Sequence, residues 1–156
     1  MRFEHLIEVN DLTNPMLDEV SRAQLWQGLC LRVEQPALFI PHLDACDITS
    51  RSDTGLTRRL RFGELLVEDS VHLHASHLIR IEVPAQQEIP ASMMSMQIEE
   101  PAAGRLFVRF IYQDANDAAT DAANKMYDDF RRSAYLEADL EAVRLIRDLA
   151  ADGRLG

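Results

Sequence analysis

Between residues 43 and 113 the chain repeats with a period of two, broken only by short turn signals, and it then changes to helical spacing. Successive side chains on a strand point to opposite faces, so period two marks half-buried strands. The expected strands lie near 43–51, 56–63, 65–75, 77–84, 91–99 and 105–113. A seventh is expected at 3–9, where Phe3, His5, Ile7 and Val9 face one way and Glu4 and Glu8 the other. Ser52-Asp53-Thr54-Gly55 and Gly63-Glu64 read as turns, Pro84 and Pro90 bound a loop, and Pro101 and Gly104 bound the last hairpin. No crossover helix fits such short gaps, so neighbouring strands pair antiparallel.

Two helical regions flank this run. Ser21 with Gln24 three residues on is a capping-box pattern, and Leu25, Gly28, Leu29 and Arg32 follow at helical spacing beside Trp26. Pro36 stops this helix and is expected to open a short second one through Ile40. From Asn116 to residue 151 there is neither Gly nor Pro, and Gly153 is placed to cap a long helix. Its apolar residues fall into two stripes. Ala119, Ala122, Ala123, Met126, Phe130 and Ala134 form one; Leu136, Leu140, Val143, Ile146 and Ala150 form another, rotated by about 100°. That offset predicts a kink, π-bulge or break near Ser133–Glu137. Asp121–Lys125 and Asp128–Arg132 are expected surface pairs.

A sheet with one apolar face and a long helix with one apolar stripe pack most economically when the sheet curls around the helix. The expected class is α+β. The expected arrangement is a helix-grip fold, a seven-stranded antiparallel sheet wrapped around a long C-terminal helix, with two short helices after strand 1. A length of 156 residues fits a single domain, 1–156.

Charge narrows the function classes. Acidic residues exceed basic ones, 26 to 16, for a net −10. Nucleic acid and anionic membranes both demand a basic footprint, so neither is an expected partner. Between residues 114 and 152 ten acids face five bases, which reads as a solvated outer helix face. Arg51, Arg58, Arg59 and Arg61 make a local basic patch without interleaved aromatics, for which a salt-bridged surface suffices. The N-terminus shows no apolar core of a signal peptide, and no run approaches a membrane span. Cys30 and Cys46 have neither metal nor redox spacing, so a reduced, cytoplasmic setting is expected and both read as core thiols.

Four segments then carry a resemblance: LTNPMLDEVSRAQLWQGLCLRVEQPALFIPHLDAC, RRLRFGELLVEDSVHL, GRLFVRFIYQD and AYLEADLEAVRLIRDLAADG. In this order they resemble the AtaL-like proteins, small bacterial and fungal domains of the START-like, birch-pollen-allergen-like superfamily (SRPBCC). The resemblance covers nearly the whole chain and supplies no catalytic motif. It implies a hydrophobic ligand held between sheet and helix. Superfamily members include carriers, co-chaperones, and cyclases, dehydratases or hydrolases of specialised metabolism, and fold does not choose among them.

The motifs add exclusions. His72-Val-His74 puts two imidazoles on one strand face, but Val71, Leu73 and Ala75 hold the apolar phase, so both histidines point outward and no metal is expected. No phosphate loop or G-x-S-x-G elbow occurs, and no cofactor is expected. His42 and Cys46 would stand about 13 Å apart on a strand, too far for a nucleophile–base pair.

The inward phase supplies the candidate ligand cavity. It comprises His5, Ile7, Trp26, Arg58, Leu60, Phe62, Asp69, Val71, Met94, Met96, Val108, Phe110, Tyr112, Ala119, Ala122, Ala123, Met126 and Phe130. Small residues on the first half of the long helix should open the cavity there, with Met126 and Phe130 closing it. A tight turn at Gly63-Glu64 sets Arg58 opposite Asp69, so the two are expected to pair; otherwise Arg58 would anchor an anion. The expected function is binding of a small hydrophobic or amphipathic molecule. The alternatives are an enzyme of specialised metabolism using His5, Arg58, Asp69 and Tyr112, and a co-chaperone-like interaction domain. The sequence leaves open which reaction, if any, is catalysed, and whether the chain is a monomer or a homodimer.

Overall fold

The alternation seen in the sequence becomes seven strands in the computed structural model, which describes residues 1–87, 89–115 and 125–156. The strands are β1 (Arg2–Glu8), β2 (Ala45–Ser52), β3 (Gly55–Phe62), β4 (Leu65–His74), β5 (Leu78–Val83), β6 (Ser92–Ala102) and β7 (Arg105–Asp114). They form one antiparallel sheet in the order β1-β7-β6-β5-β4-β3-β2. Each consecutive pair from β2 to β7 is a hairpin, and β1 closes on β7, the last strand. A register shift between Ile48 and Ser50 interrupts the β2–β3 ladder, and a second between Glu99 and Ala102 interrupts the β6–β7 ladder before its last pair, Ala102 with Arg105. Such bulges increase local twist and help the sheet curl.

Helix α1 (Arg22–Glu34) begins with the expected capping box. Gln24 N–H donates to Ser21 Oγ at 3.1 Å, and Ser21 N–H donates to Gln24 Oε1 at 2.9 Å. Its buried side is Leu25, Gly28, Leu29 and Val33. Before it, Asn10 fixes the loop. Its amide donates to the carbonyls of Val20 and Gly104, both at 2.8 Å, and its oxygen accepts from Val20 N–H at 2.8 Å. The expected second short helix is a single 3-10 turn at Pro36–Leu38. Pro36 opens it as expected, but Pro41 lies too close for an α-helical turn to propagate.

Helix α2 (Lys125–Ala151) is unbroken, which corrects the expected kink at Ser133–Glu137. The reason is a change of phase. The buried stripe is Asp128, Asp139, Ala142, Val143 and Ile146, a single row at helical spacing whose first half is polar. The apolar Met126 and Phe130 lie off that row, 87% and 72% exposed. Two apolar stripes therefore do not mean two packed faces. Pairing on α2 also differs: Arg131 meets Asp128 at 3.0 Å and Arg132 meets Asp129 at 3.6 Å, both three residues apart. Asp121 of the expected Asp121–Lys125 pair and the cavity residues Ala119, Ala122 and Ala123 fall outside the described residues. The helix ends in a Schellman motif. Gly153, at φ +72°, donates to Ala150, and Arg154 N–H donates to Leu149, at 3.1 and 2.9 Å.

The core lies between the concave sheet face, α1 and the second half of α2. Ile7, Val71, Ile79, Met96, Val108 and Phe110 meet Leu25, Leu29, Val33, Val143 and Ile146 there. Gly28 is where the two helices touch, because a Cβ there would stand 2.6 Å from Ile146 Cγ2. Cys30 and Cys46 are both free thiols. Among the described residues no helix is long and apolar enough to cross a membrane.

Candidate functional site

Asp139 is the polar centre of the interior. Helical spacing puts it in the row of Val143 and Ile146, so the turn that buries those residues also buries its carboxylate, which has no solvent exposure. A buried charge persists only with partners, and three elements supply them. His5 of β1 places Nε2 2.9 Å from Asp139 Oδ2. Tyr112 of β7 donates its hydroxyl to the same oxygen at 2.5 Å. Arg32 of α1 brings Nη2 to 3.2 Å from Oδ1. The last contact is ionic, because Oδ1 receives no hydrogen bond of good geometry.

Aromatic rings hold this cluster in place. Tyr112 stacks on Tyr135 of α2 at 4.4 Å and on Phe3 at 5.0 Å, and His5 stacks on Phe110 at 5.6 Å. The Arg32 guanidinium lies 5.7 Å above the Phe110 ring, and its Nη1 reaches Met96 Sδ at 3.4 Å. Burial first, and the Asp139 charge second, push the Tyr112 phenol far above the usual tyrosine range. It therefore stays a donor. A carboxylate acceptor calls for a proton on His5 Nε2, which leaves Nδ1 as the acceptor of a neutral ring. Burial also raises Tyr135, against the opposing charge of Arg131.

Beside this cluster lies a cavity of about 850 Å³. One wall is Leu38, Phe39, Ile40, Pro41 and His42; the other is the α2 face of Ala134, Ala138, Ala142 and Leu145. Arg32 and Tyr135 join it to the Asp139 cluster, and Glu137, Glu141, Arg144 and Asp148 edge it. A smaller cavity of about 140 Å³ lies between the sheet and α2, lined by Phe3, Ile81, Met94, Tyr112, Arg131 and Tyr135, among others. Tyr135 lines both.

The structure distributes the expected cavity residues as follows. Met94 and Tyr112 line the small cavity. His5 joins Tyr112 on Asp139. Ile7, Val71, Met96, Val108 and Phe110 are core, with Trp26 packed partly buried against it. Leu60 is buried and Phe62 half-buried, and neither lines the large or the small cavity. Met126 and Phe130 close neither cavity, because they lie on the exposed side of α2. Arg58 and Asp69 stand opposite each other in the β3–β4 register and pair through Nε–Oδ1 at 2.9 Å and Nη2–Oδ2 at 2.6 Å. Arg58 Nη1 donates to the Val33 carbonyl at 3.0 Å, so the guanidinium is engaged by protein on both sides. Two more arginines of the basic patch are paired, Arg51 with Glu34 and Arg59 with Glu68. His72 and His74 are exposed, and His72 lies 3.7 Å from Glu82.

Sequence reading missed Asp139, Arg32 and Tyr135. For Asp139 a signal existed: it stands four residues before Val143 and seven before Ile146, in the apolar phase. Neighbouring Leu140, half exposed, drew the stripe one residue away.

The sequence matches the family model described as acetylaranotin biosynthesis cluster protein L over residues 7–153. No curated protein sequence matches it. Among solved structures, the chain is similar to the Zhui aromatase/cyclase from Streptomyces sp. R1128, with 16% identity, coverage of 97% of this chain and 95% of that one, and a TM-score of 0.68. The di-domain ARO/CYC BexL from the BE-7585A biosynthetic pathway is 12% identical with a TM-score of 0.67; 95% of this chain matches 49% of that protein, about half its length. Ara h 8.0201 is 14% identical, covered 97% and 98%, with a TM-score of 0.57. At these identities the likeness is one of fold, and the shared fold is the helix-grip arrangement.

Proposed function

This chain belongs to the acetylaranotin biosynthesis cluster protein L family, and from that premise we propose that it binds a small, largely apolar molecule in the trough between α2 and residues 36–42. The observation that carries this is the cavity of about 850 Å³, which falls in the range of small-molecule sites. Its walls are aliphatic and aromatic, with Arg32 and Tyr135 as the polar groups on its inner side. Few convergent polar groups in an apolar cleft orient a ligand without covering it. This trough lies apart from the sheet–helix space expected from the sequence, where the smaller cavity of about 140 Å³ is found among the described residues.

The neutral dye N-phenyl-1-naphthylamine tests this reading. Its fluorescence should rise on binding the protein, and Ala138→Trp, which fills the trough from an outer helix position, should abolish the rise while leaving the melting temperature unchanged. Equal dye binding by the variant overturns the trough as the site.

A second reading, an enzyme using acid–base groups, is favoured by one observation: His5 and Tyr112 converge on a single oxygen of Asp139. Two solved structures of this fold carry aromatase/cyclase names. In that reading His5 Nδ1 is the group able to accept a proton, with Asp139 holding the ring and stabilising its charged form. Loss of turnover in His5→Gln, with ligand affinity kept, would support it.

A further inference from the structure

We propose that the trough selects an uncharged molecule presenting a carbonyl-type acceptor to Arg32, and that Asp139 sets this preference. The inference rests on the reading of the trough as a ligand site. Arg32 is the cation at the inner side of the trough, and its charge is already matched by Asp139 at 3.2 Å. Asp139 is fully buried, so solvent screens it little. A guanidinium carries five N–H donors. Arg32 directs Nη2 to Asp139 and Nη1 to Met96 Sδ on the protein side while the residue also lines the trough. A ligand carbonyl can accept from an N–H on the trough side and leave the charge balance as it stands. A ligand carboxylate would bring a second anion to one cation, and a buried uncompensated charge is costly.

The other charged groups act in the same direction. Along the edge of the trough the carboxylates Glu137, Glu141 and Asp148 outnumber the one arginine, Arg144, and His42 stands on the opposite wall. Glu141 and Asp148 lie 2.5 and 4.0 Å from that arginine, so the edge as a whole is acidic. Of the remaining titratable groups, Tyr112 and Tyr135 are held neutral by burial. Among the described residues Arg58, buried on the concave face, is engaged by Asp69 and Val33 and lines neither the trough nor the small cavity. The amphipathic anion considered from the sequence therefore has no built anchor there.

Two ligands on one skeleton, 2-acetylnaphthalene and 2-naphthoate, test the inference by displacement of N-phenyl-1-naphthylamine at neutral pH. The wild-type protein should bind the ketone more tightly, by on the order of tenfold. Asp139→Asn keeps the shape and an acceptor for Tyr112 but frees the Arg32 charge, and should move the ratio about tenfold towards naphthoate. Arg32→Gln should weaken the ketone. Tighter naphthoate binding by the wild type overturns the inference without any variant. So does an unchanged ratio in an Asp139→Asn protein whose circular dichroism is native. If the dye itself does not bind, the trough reading fails and this inference falls with it; if the dye binds and the ratio is inverted, only the inference fails.

Discussion

Arg58 and Asp69 meet side by side across β3 and β4 in a two-pronged pair, buried on the face where the strands curl. The pair is structural, since protein groups engage the guanidinium on both sides. Removing one partner strands the other charge in the interior. Arg58→Met or Asp69→Leu alone should cost about 3–5 kcal/mol, and the double variant clearly less than the sum. Urea denaturation of the three variants checks this; additive losses would contradict it.

Tyr112→Phe removes the hydroxyl that Asp139 accepts and keeps the stacked ring. A hydrogen bond to a charged group is worth about 1.5–3 kcal/mol, so the variant should lose that much stability. Tyr135→Phe should lose less, because no hydrogen bond ties its hydroxyl to Asp139. Thermal melts of both variants compare the two roles.

Gly28→Ala should destabilise although alanine favours helix. The new methyl would stand 2.6 and 2.8 Å from Ile146 Cγ2 and Cγ1, inside contact distance. Overpacking costs about 1–3 kcal/mol, against about 1 kcal/mol of helix propensity gained. In an Ile146→Ala background the same change should become neutral or stabilising. A double-mutant cycle reads the coupling.

Burial, with Glu34 nearby, pushes the Cys30 thiol up to about 11. It should stay protonated at pH 8 and react slowly with a disulfide reagent, speeding up when the protein is unfolded in urea. The sign for stability follows. A thiol raised in the folded state contributes stability that is complete below its unfolded value near 9 and is lost as pH rises towards 11. Cys30→Ala should therefore lose less stability than wild type between pH 8 and pH 11.

Much of the fold was legible because strand periodicity and turn chemistry are local. All seven strands, the Ser21 cap and the Gly153 stop come from residues a few positions apart. So does the Arg58–Asp69 register, which the two-residue turn at Gly63-Glu64 determines by counting. Which row of α2 faces inward was not local. Met126 and Phe130 are as apolar as Val143 and Ile146, and only the position of the sheet puts the first pair outside and the second inside.

The sequence by itself determined the seven strands, the Arg58–Asp69 register, the start of α1 at Ser21 and the end of α2 at Gly153. These follow from alternation, capping and turns, whose physics acts within a few residues. The tertiary structure decided where the polar cluster and the cavity lie. Asp139 draws its partners from β1, α1 and β7, as far as 134 residues away in the chain. No short-range pattern encodes that meeting, because it depends on how α2 settles into the curl of the sheet, and a rotation of one residue on that helix would have buried Leu140 in its place.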